Sequence, residues 1–176
     1  MKNYCLHLFS TLPIVGMLAV LLMCAGCATV TPIESKKEPG HTEPIKKLFV
    51  VSSLATVKDS IAVAAEMQVT ARLRALGVAH KFVTMNSLST TQDQLQLFED
   101  VSQYRPDGVL ILGGGGGVRS PGGTILSVNV NATLRDGSDK VTLWRAAIKD
   151  AQPDMKGMAE ALVRKLQEDG IIRPGP

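Results

Sequence analysis

The sequence predicts a single α/β (α+β) domain in which helices pack on a mixed β-sheet. Gly108–Leu112 is a short apolar run without an amphipathic period, which is typical of a strand covered on both faces. Before it, short apolar runs alternate with stretches of helical spacing. After it, Thr124–Arg135 alternates strictly between apolar and polar residues, which is typical of a strand with one wet face. The predicted order is β-α-β-α-β-β-β-α, a parallel first half followed by an antiparallel hairpin.

The first strand is predicted within Ile45–Leu54 and is followed by a helix. The pair Thr56 and Asp59 resembles a capping box that opens this helix, and Gly77 supplies its left-handed end. Between these residues apolar side chains recur every three or four positions, which predicts a buried stripe. The stripe comprises Ile61, Ala65, Val69, Leu73 and Leu76.

A second strand and a second helix are predicted before the central strand. Val78–Thr84 is the strand, and Thr90–Asp93 begins the helix. Pro106 ends this helix because the residue before proline disfavours helical backbone. Right-handed crossovers make these first strands parallel to the central one.

The last part of the chain predicts a hairpin and a closing helix. Asp136–Asp139 is a tight turn that joins Thr124–Arg135 to a returning strand, Lys140–Lys149. Pro153 is a typical first residue of a helix, and Gly170 ends that helix so that the next two residues fold back on it.

A glycine run follows the central strand: Gly113, Gly114, Gly115, Gly116 and Gly117. Such a loop can cradle a phosphate through backbone N–H groups. However, no Gly-Lys-Ser/Thr follows, and dinucleotide spacing would need glycine where Val118 stands. We expect a flexible, exposed connection. The alternative is a binding loop, Gly113–Arg119, in which Arg119 meets an anion or a partner.

No combination of residues indicates a reaction. His80 is the only histidine of the predicted domain, and no cysteine follows Cys27. We therefore expect neither an enzyme nor a metal or cofactor site. The polar residues of the alternating strand are expected to form a solvated sheet face or, alternatively, a docking surface; they are Ser127, Asn129, Asn131 and Thr133.

Composition indicates a globular protein that does not bind nucleic acid. Hydrophobic residues make up 45% and charged residues 20% of the chain, which is ordinary for a folded domain. Lys2 is the only charged residue before Cys27, so the remainder carries 18 basic and 16 acidic residues. This near balance lacks the basic excess of nucleic-acid-binding domains.

The N-terminus resembles a bacterial lipoprotein signal. One lysine precedes an apolar stretch, Leu8–Met23, which ends at Cys24-Ala25-Gly26-Cys27. The resemblance implies that residues 1–26 are a signal peptide and that Cys27 carries the acyl chains. The alternative is an uncleaved anchor or simple secretion. In such lipoproteins an aspartate directly after the cysteine favours retention in the inner membrane. Position 28 is alanine, so the resemblance implies the periplasmic face of the outer membrane. Residues 27–44 contain three prolines and mixed charge, so we expect a flexible tether.

Three segments of the predicted domain, 45–176, resemble a group of envelope lipoproteins. They are the central strand Asp107–Gly113, the hairpin Val128–Arg145 with its returning tryptophan, and the closing helix Met158–Gly170. The group includes the curli-secretion lipoprotein CsgG, the penicillin-binding protein activator LpoB and the amino-terminal domain of TolB. The resemblance implies action by protein contact rather than by chemistry.

We therefore expect a membrane-anchored periplasmic lipoprotein that acts in envelope assembly or integrity by binding another envelope protein or by self-association. One alternative is a subunit of an oligomeric secretion or flagellar assembly. Another is a small-ligand or anion-binding domain that uses the Gly113–Arg119 loop.

Overall fold

The structure, a computed structural model, describes residues 33–39, 43–85, 90–138 and 140–174. In these residues six strands form one mixed sheet in the order β1-β6-β5-β4-β2-β3. Strands β3, β2 and β4 are parallel, whereas β4, β5, β6 and β1 pair antiparallel. The elements are β1 Ile33–Lys37, β2 Lys47–Ser52, α1 Asp59–Ala75, β3 Ala79–Thr84, α2 Thr91–Tyr104, β4 Gly108–Arg119, β5 Ile125–Asp136, β6 Thr142–Ala151 and α3 Lys156–Glu168.

The predicted central strand lies in the interior of the sheet, as its sequence indicates. Residues Gly108–Leu112 pair with β2 on one side and β5 on the other. Leu110 and Leu112 are fully buried in the main core, to which α1 and α3 contribute. Val109 points to the opposite face, where Phe49 and residues of α2 cover it. The prediction of a mixed α/β fold is thereby confirmed.

The predicted order is wrong at its beginning, because a strand lies where we expected tether. Residues Ile33–Lys37, within 27–44, pair antiparallel with β6 at the edge of the sheet. The strand is short and charged, as edge strands often are, so no apolar period indicates it. The predicted signal peptide, Cys27 and the remaining tether residues 28–32 and 40–42 lie outside the described residues.

The glycine run is not a flexible connection, because β4 continues through it to Arg119. Gly114 pairs with Val130 and Gly117 with Val128, so two glycines oppose one residue in a β-bulge. Gly116 adopts φ +91°, which is the left-handed backbone that favours glycine. A Cβ on Gly117 would lie 2.2 Å from the Ser127 carbonyl oxygen. These glycines therefore allow a bulged strand to pair closely with β5.

The predicted helix ends are right in part. Thr90 and Asp93 form the capping box at the start of α2. The box expected at Thr56 is wrong, since Leu54–Thr56 forms a short 3₁₀ turn and α1 begins at Asp59 without a side-chain cap. Helix α3 begins at Lys156, three residues after Pro153. No helix among the described residues is long and apolar enough to cross a membrane.

Candidate interaction surface

Half of one sheet face has no helix over it in the described part of the chain. Helix α2 packs over Phe49, Val51 and Val109 of β2 and β4. The neighbouring part of this face, on β5, β6 and β1, is lined by short polar and charged side chains. We call this part the open face; it comprises Glu34, Lys36, Asn129, Asn131, Thr133, Arg145, Ala147 and Lys149.

The open face is shallowly concave. A depression of about 490 Å³ lies over β1, β6 and β5, and its lining includes Glu34, Lys36, Asn131, Thr133 and Arg145. The open face carries one acidic residue, Glu34, and three basic residues, so its net charge is positive. The surface fits the docking alternative of the sequence analysis better than a ligand pocket, because it is open to solvent along its length.

The rim of the open face carries an ion pair between Lys149 and Glu34, with Nζ and Oε1 2.7 Å apart. The hydrogen bond and the charge of Lys149 lower the pKa of Glu34, and the same contact raises the pKa of Lys149. Both side chains are more than half exposed, so the pair adds little to stability. Its effect is to fix two charges at the β1 edge.

Strands β4 and β5 extend beyond β2 and, past Val128, also beyond β6. Strand β2 ends opposite Leu112, and β6 ends opposite Val128. We call residues 113–128 the β-arm. Its tip is an ordered turn in which Ser120 N–H donates to the Thr124 carbonyl at 2.8 Å. The Arg119 guanidinium reaches the Gly123 carbonyl at 3.4 Å.

Two bulges flank one residue at the base of the β-arm. Gly115 and Gly116 of β4 oppose Asn129 on one side, and Lys149 and Asp150 of β6 oppose it on the other. Asp150 has φ +55°, and its N–H donates to the Asn129 Oδ1 at 3.1 Å. Because bulges bend and twist strands, Asn129 marks the point where the β-arm leaves the sheet.

The predicted binding-loop residues therefore lie on a strand. Gly113 to Gly117 form one side of the β-arm, and Arg119 is its last residue before the tip. In a strand successive N–H groups point in opposite directions, so these glycines do not form the concave N–H cradle that binds phosphate. Binding of an anion there stays a prediction that this backbone does not favour.

The sequence analysis missed a polar cluster that fixes β1 to the domain. The Asp169 carboxylate accepts hydrogen bonds at 2.7 Å from Ser35 Oγ and from Trp144 Nε1, and Lys165 Nζ lies 3.0 Å from it. Lys37 Nζ donates to the Asp169 carbonyl at 3.1 Å. Burial raises the pKa of Asp169, but the bonds from Ser35, Trp144 and Lys165 outweigh it and hold the pKa below its usual value.

No sequence signal indicates this cluster, because Asp169 is 134 residues from Ser35 and 25 from Trp144. A second polar contact accounts for Asp107, which the sequence analysis names only as the first residue of the segment Asp107–Gly113. Its Oδ2 accepts the N–H groups of Lys46 and Lys47 at 2.9 and 2.8 Å. Asp107 thus joins the beginnings of β2 and β4. The described residues contain no group of three metal-ligating side chains.

Comparison with known proteins gives a likeness in fold. Two structures of the PelC dodecamer from Paraburkholderia phytofirmans superpose with a TM-score of 0.53, at 18% and 19% identity. Each alignment covers 81% of this chain and 99% of PelC. The lipoprotein GNA1162 from Neisseria meningitidis aligns at 18% identity over 69% of this chain and 98% of its own, with a TM-score of 0.31.

The searched family models and the curated proteins contain no match to this chain. The PelC likeness, at this identity, shows that the two chains share a fold.

Proposed function

We propose that this protein is a lipoprotein anchored through Cys27 to the periplasmic face of the outer membrane, and that it acts by protein contact, as a self-associating subunit, in the cell envelope. The observation that carries the proposal is the open face, a broad half of the sheet that the described helices leave uncovered. The lipoprotein-like residues Cys24–Cys27 supply the proposed anchor.

The open face has the properties of a contact surface rather than of a reaction site. Its polar groups are spread over three strands and do not converge on one point. It presents Glu34 on β1 together with the basic residues Arg145 and Lys149 on β6. Two copies of this surface could pair if Glu34 of each copy, which is ion-paired with Lys149 in the single chain, also met Arg145 of the other copy.

The fold likeness favours self-association over binding of an unrelated protein. PelC, whose fold this chain shares, is a dodecamer. The same likeness supports the alternative of a subunit in an oligomeric secretion assembly, since such an assembly is built from repeated copies. The resemblance to the CsgG, LpoB and TolB group is compatible with either.

Self-association is tested by sedimentation of the full lipidated chain in detergent. The wild-type protein is expected to sediment as a defined oligomer. Arg145→Glu, which reverses a charge on the open face, is expected to weaken association by at least about tenfold, since like charges across an interface cost several kcal/mol. Arg74→Glu, a matched reversal on the exposed side of α1, is the control. A monomeric wild-type protein, or equal effects of both variants, contradicts the proposal.

The anchor is tested separately by palmitate labelling in cells. Wild-type protein is expected to incorporate label and to fractionate with the outer membrane, whereas Cys27→Ala loses both properties. Label that persists in the variant, or an unlabelled wild-type protein, contradicts lipidation at Cys27.

A further inference from the structure

The β-arm points toward the place where the chain is anchored. Ile33, the first residue of β1, pairs with Ile148, which pairs with Val130, which pairs with Gly114. These four residues form one row across the sheet. Strand β1 runs away from the β-arm, so the chain that precedes Ile33 enters at the end of the sheet from which the β-arm projects.

Two lengths then limit how far the membrane lies from this row. Six residue steps separate Cys27 from Ile33, and even a fully extended chain covers only about 20 Å in that number. From this row β5 continues five residues toward the tip of the β-arm, from Val130 to Ile125, which is about 16 Å. The five-residue tip, 120–124, adds further length. The β-arm is therefore about as long as the longest distance that the anchor permits.

The chemistry of the β-arm suits a lipid surface. Arg119 is the only ionisable residue between Asp107 and Arg135. The Asp150 carboxylate contacts the β-arm nearer its base, 3.3 Å from Ser127 Oγ. Val118 and Leu126 are 54% and 49% exposed near the tip. Val118 pairs with Ser127, the neighbour of Leu126, so the two apolar side chains lie on opposite faces of the arm.

We infer that the tip of the β-arm together with its flanking residues, Val118–Leu126, rests in the headgroup layer of the membrane that holds Cys27 and so sets the orientation of the domain. The inference rests on the proposed lipid anchor. The tip occupies the headgroup layer rather than the hydrocarbon, because hydrocarbon offers no partner for the backbone groups of a strand edge. Arg119 contacts lipid phosphate, and Val118 and Leu126 contact the upper acyl chains.

The test uses the full lipidated chain in vesicles of phosphatidylethanolamine and phosphatidylglycerol. Acylated mature protein beginning at Cys27 has no free thiol, so one introduced cysteine can carry an environment-sensitive dye. The tip positions are Val118→Cys and Leu126→Cys. Val141→Cys is the matched control, because Val141 is 56% exposed but lies at the opposite end of the sheet. Lys36→Cys reports the β1 edge. Emission of Trp144 verifies that each variant is folded.

The dyes at 118 and 126 are expected to shift to shorter wavelength and to lose emission to nitroxide-labelled lipids, while those at 141 and 36 do not. If the protein floats with the vesicles on a density gradient but the dyes at 118 and 126 shift and are quenched no more than the dye at 141, the inference is wrong while the proposed lipid anchor is retained. Quenching at 36 alone shows a domain lying on its β1 edge and also overturns the inference. If the protein does not float, the proposed anchor fails, and the inference fails with it.

Discussion

The replacement of Asp169 by alanine tests how firmly β1 is held to the domain. The substitution removes the acceptor of Trp144 Nε1, whose side chain is fully buried, together with the acceptor of Ser35 Oγ and the partner of Lys165. A hydrogen bond to a charged group contributes about 1.5–3 kcal/mol, and a buried donor left unpaired costs about 1–3 kcal/mol. The ion pair with the partly exposed Lys165 adds less than about 1 kcal/mol.

These two energies must not be added, because the lost hydrogen bond and the donor that it leaves unpaired are the same contribution to stability. We therefore expect Asp169→Ala to lower the free energy of unfolding by about 2–4 kcal/mol, a large part of the ~5–15 kcal/mol typical of a domain. In urea this corresponds to a midpoint lower by about 1–2 M. The assay is equilibrium unfolding followed by the fluorescence of Trp144, the only tryptophan of the chain.

Ser35→Ala is the control, because it removes one hydrogen bond to the same carboxylate but leaves no buried N–H unpaired. Its expected cost is about 1.5 kcal/mol, the lower end of the range for a hydrogen bond to a charged group, because Ser35 is only partly buried. Asp169→Asn keeps one oxygen acceptor without the charge and should fall between the two. If Asp169→Ala costs no more than Ser35→Ala, the Trp144 bond contributes nothing and our reasoning about the cluster is refuted.

Three further outcomes are expected. Because the pKa of Asp169 is lowered in the folded state, its charge stabilises the fold above the unfolded-state pKa near 3.9, and this stabilisation is lost as pH falls through the folded-state pKa. The urea midpoints of wild type and Asp169→Asn should therefore converge below about pH 4. A difference that stays constant with pH contradicts this. Gly117→Ala should lower stability by about 1–3 kcal/mol because its Cβ meets the Ser127 carbonyl, whereas Gly122→Ala, whose nearest neighbour is 3.9 Å away, should be nearly neutral in the same assay. Asp107→Ala should cost about 1–2 kcal/mol and speed hydrogen exchange at the Lys46 and Lys47 amides; unchanged exchange would show that water replaces the carboxylate.

The core of this fold can be predicted from sequence because its signals are local. The apolar run at Gly108–Leu112 and the alternation along β5 each report burial through side-chain periodicity. The structure confirms the apolar run, and it confirms the alternation from Val128 to Leu134. The alternation is wrong nearer the tip, where Leu126 is 49% exposed and Ser127 is buried. The capping box at Thr90 is read from residues three apart. In each case the physical cause lies within a few positions of the chain.

The candidate surface could not be predicted in the same way, because its causes are distant in sequence. Strand β1 has no apolar period, and its place depends on β6 and on Asp169. The glycine run suggests mobility by composition, yet pairing with β5 and a bulge opposite Asn129 order it. Five consecutive glycines indicate a mobile backbone only when no partner strand is known to pair with them.

The position of β1 has a mechanical consequence for an anchored chain. Tension from the lipid would enter at Ile33 and act along the strand, in the direction opposite to its run. Antiparallel hydrogen bonds lie perpendicular to their strands, so such a load shears the whole β1–β6 ladder at once and does not peel it bond by bond. If Cys27 carries the proposed lipid, a pulling force on the chain would thus be resisted by all the hydrogen bonds between β1 and β6 together.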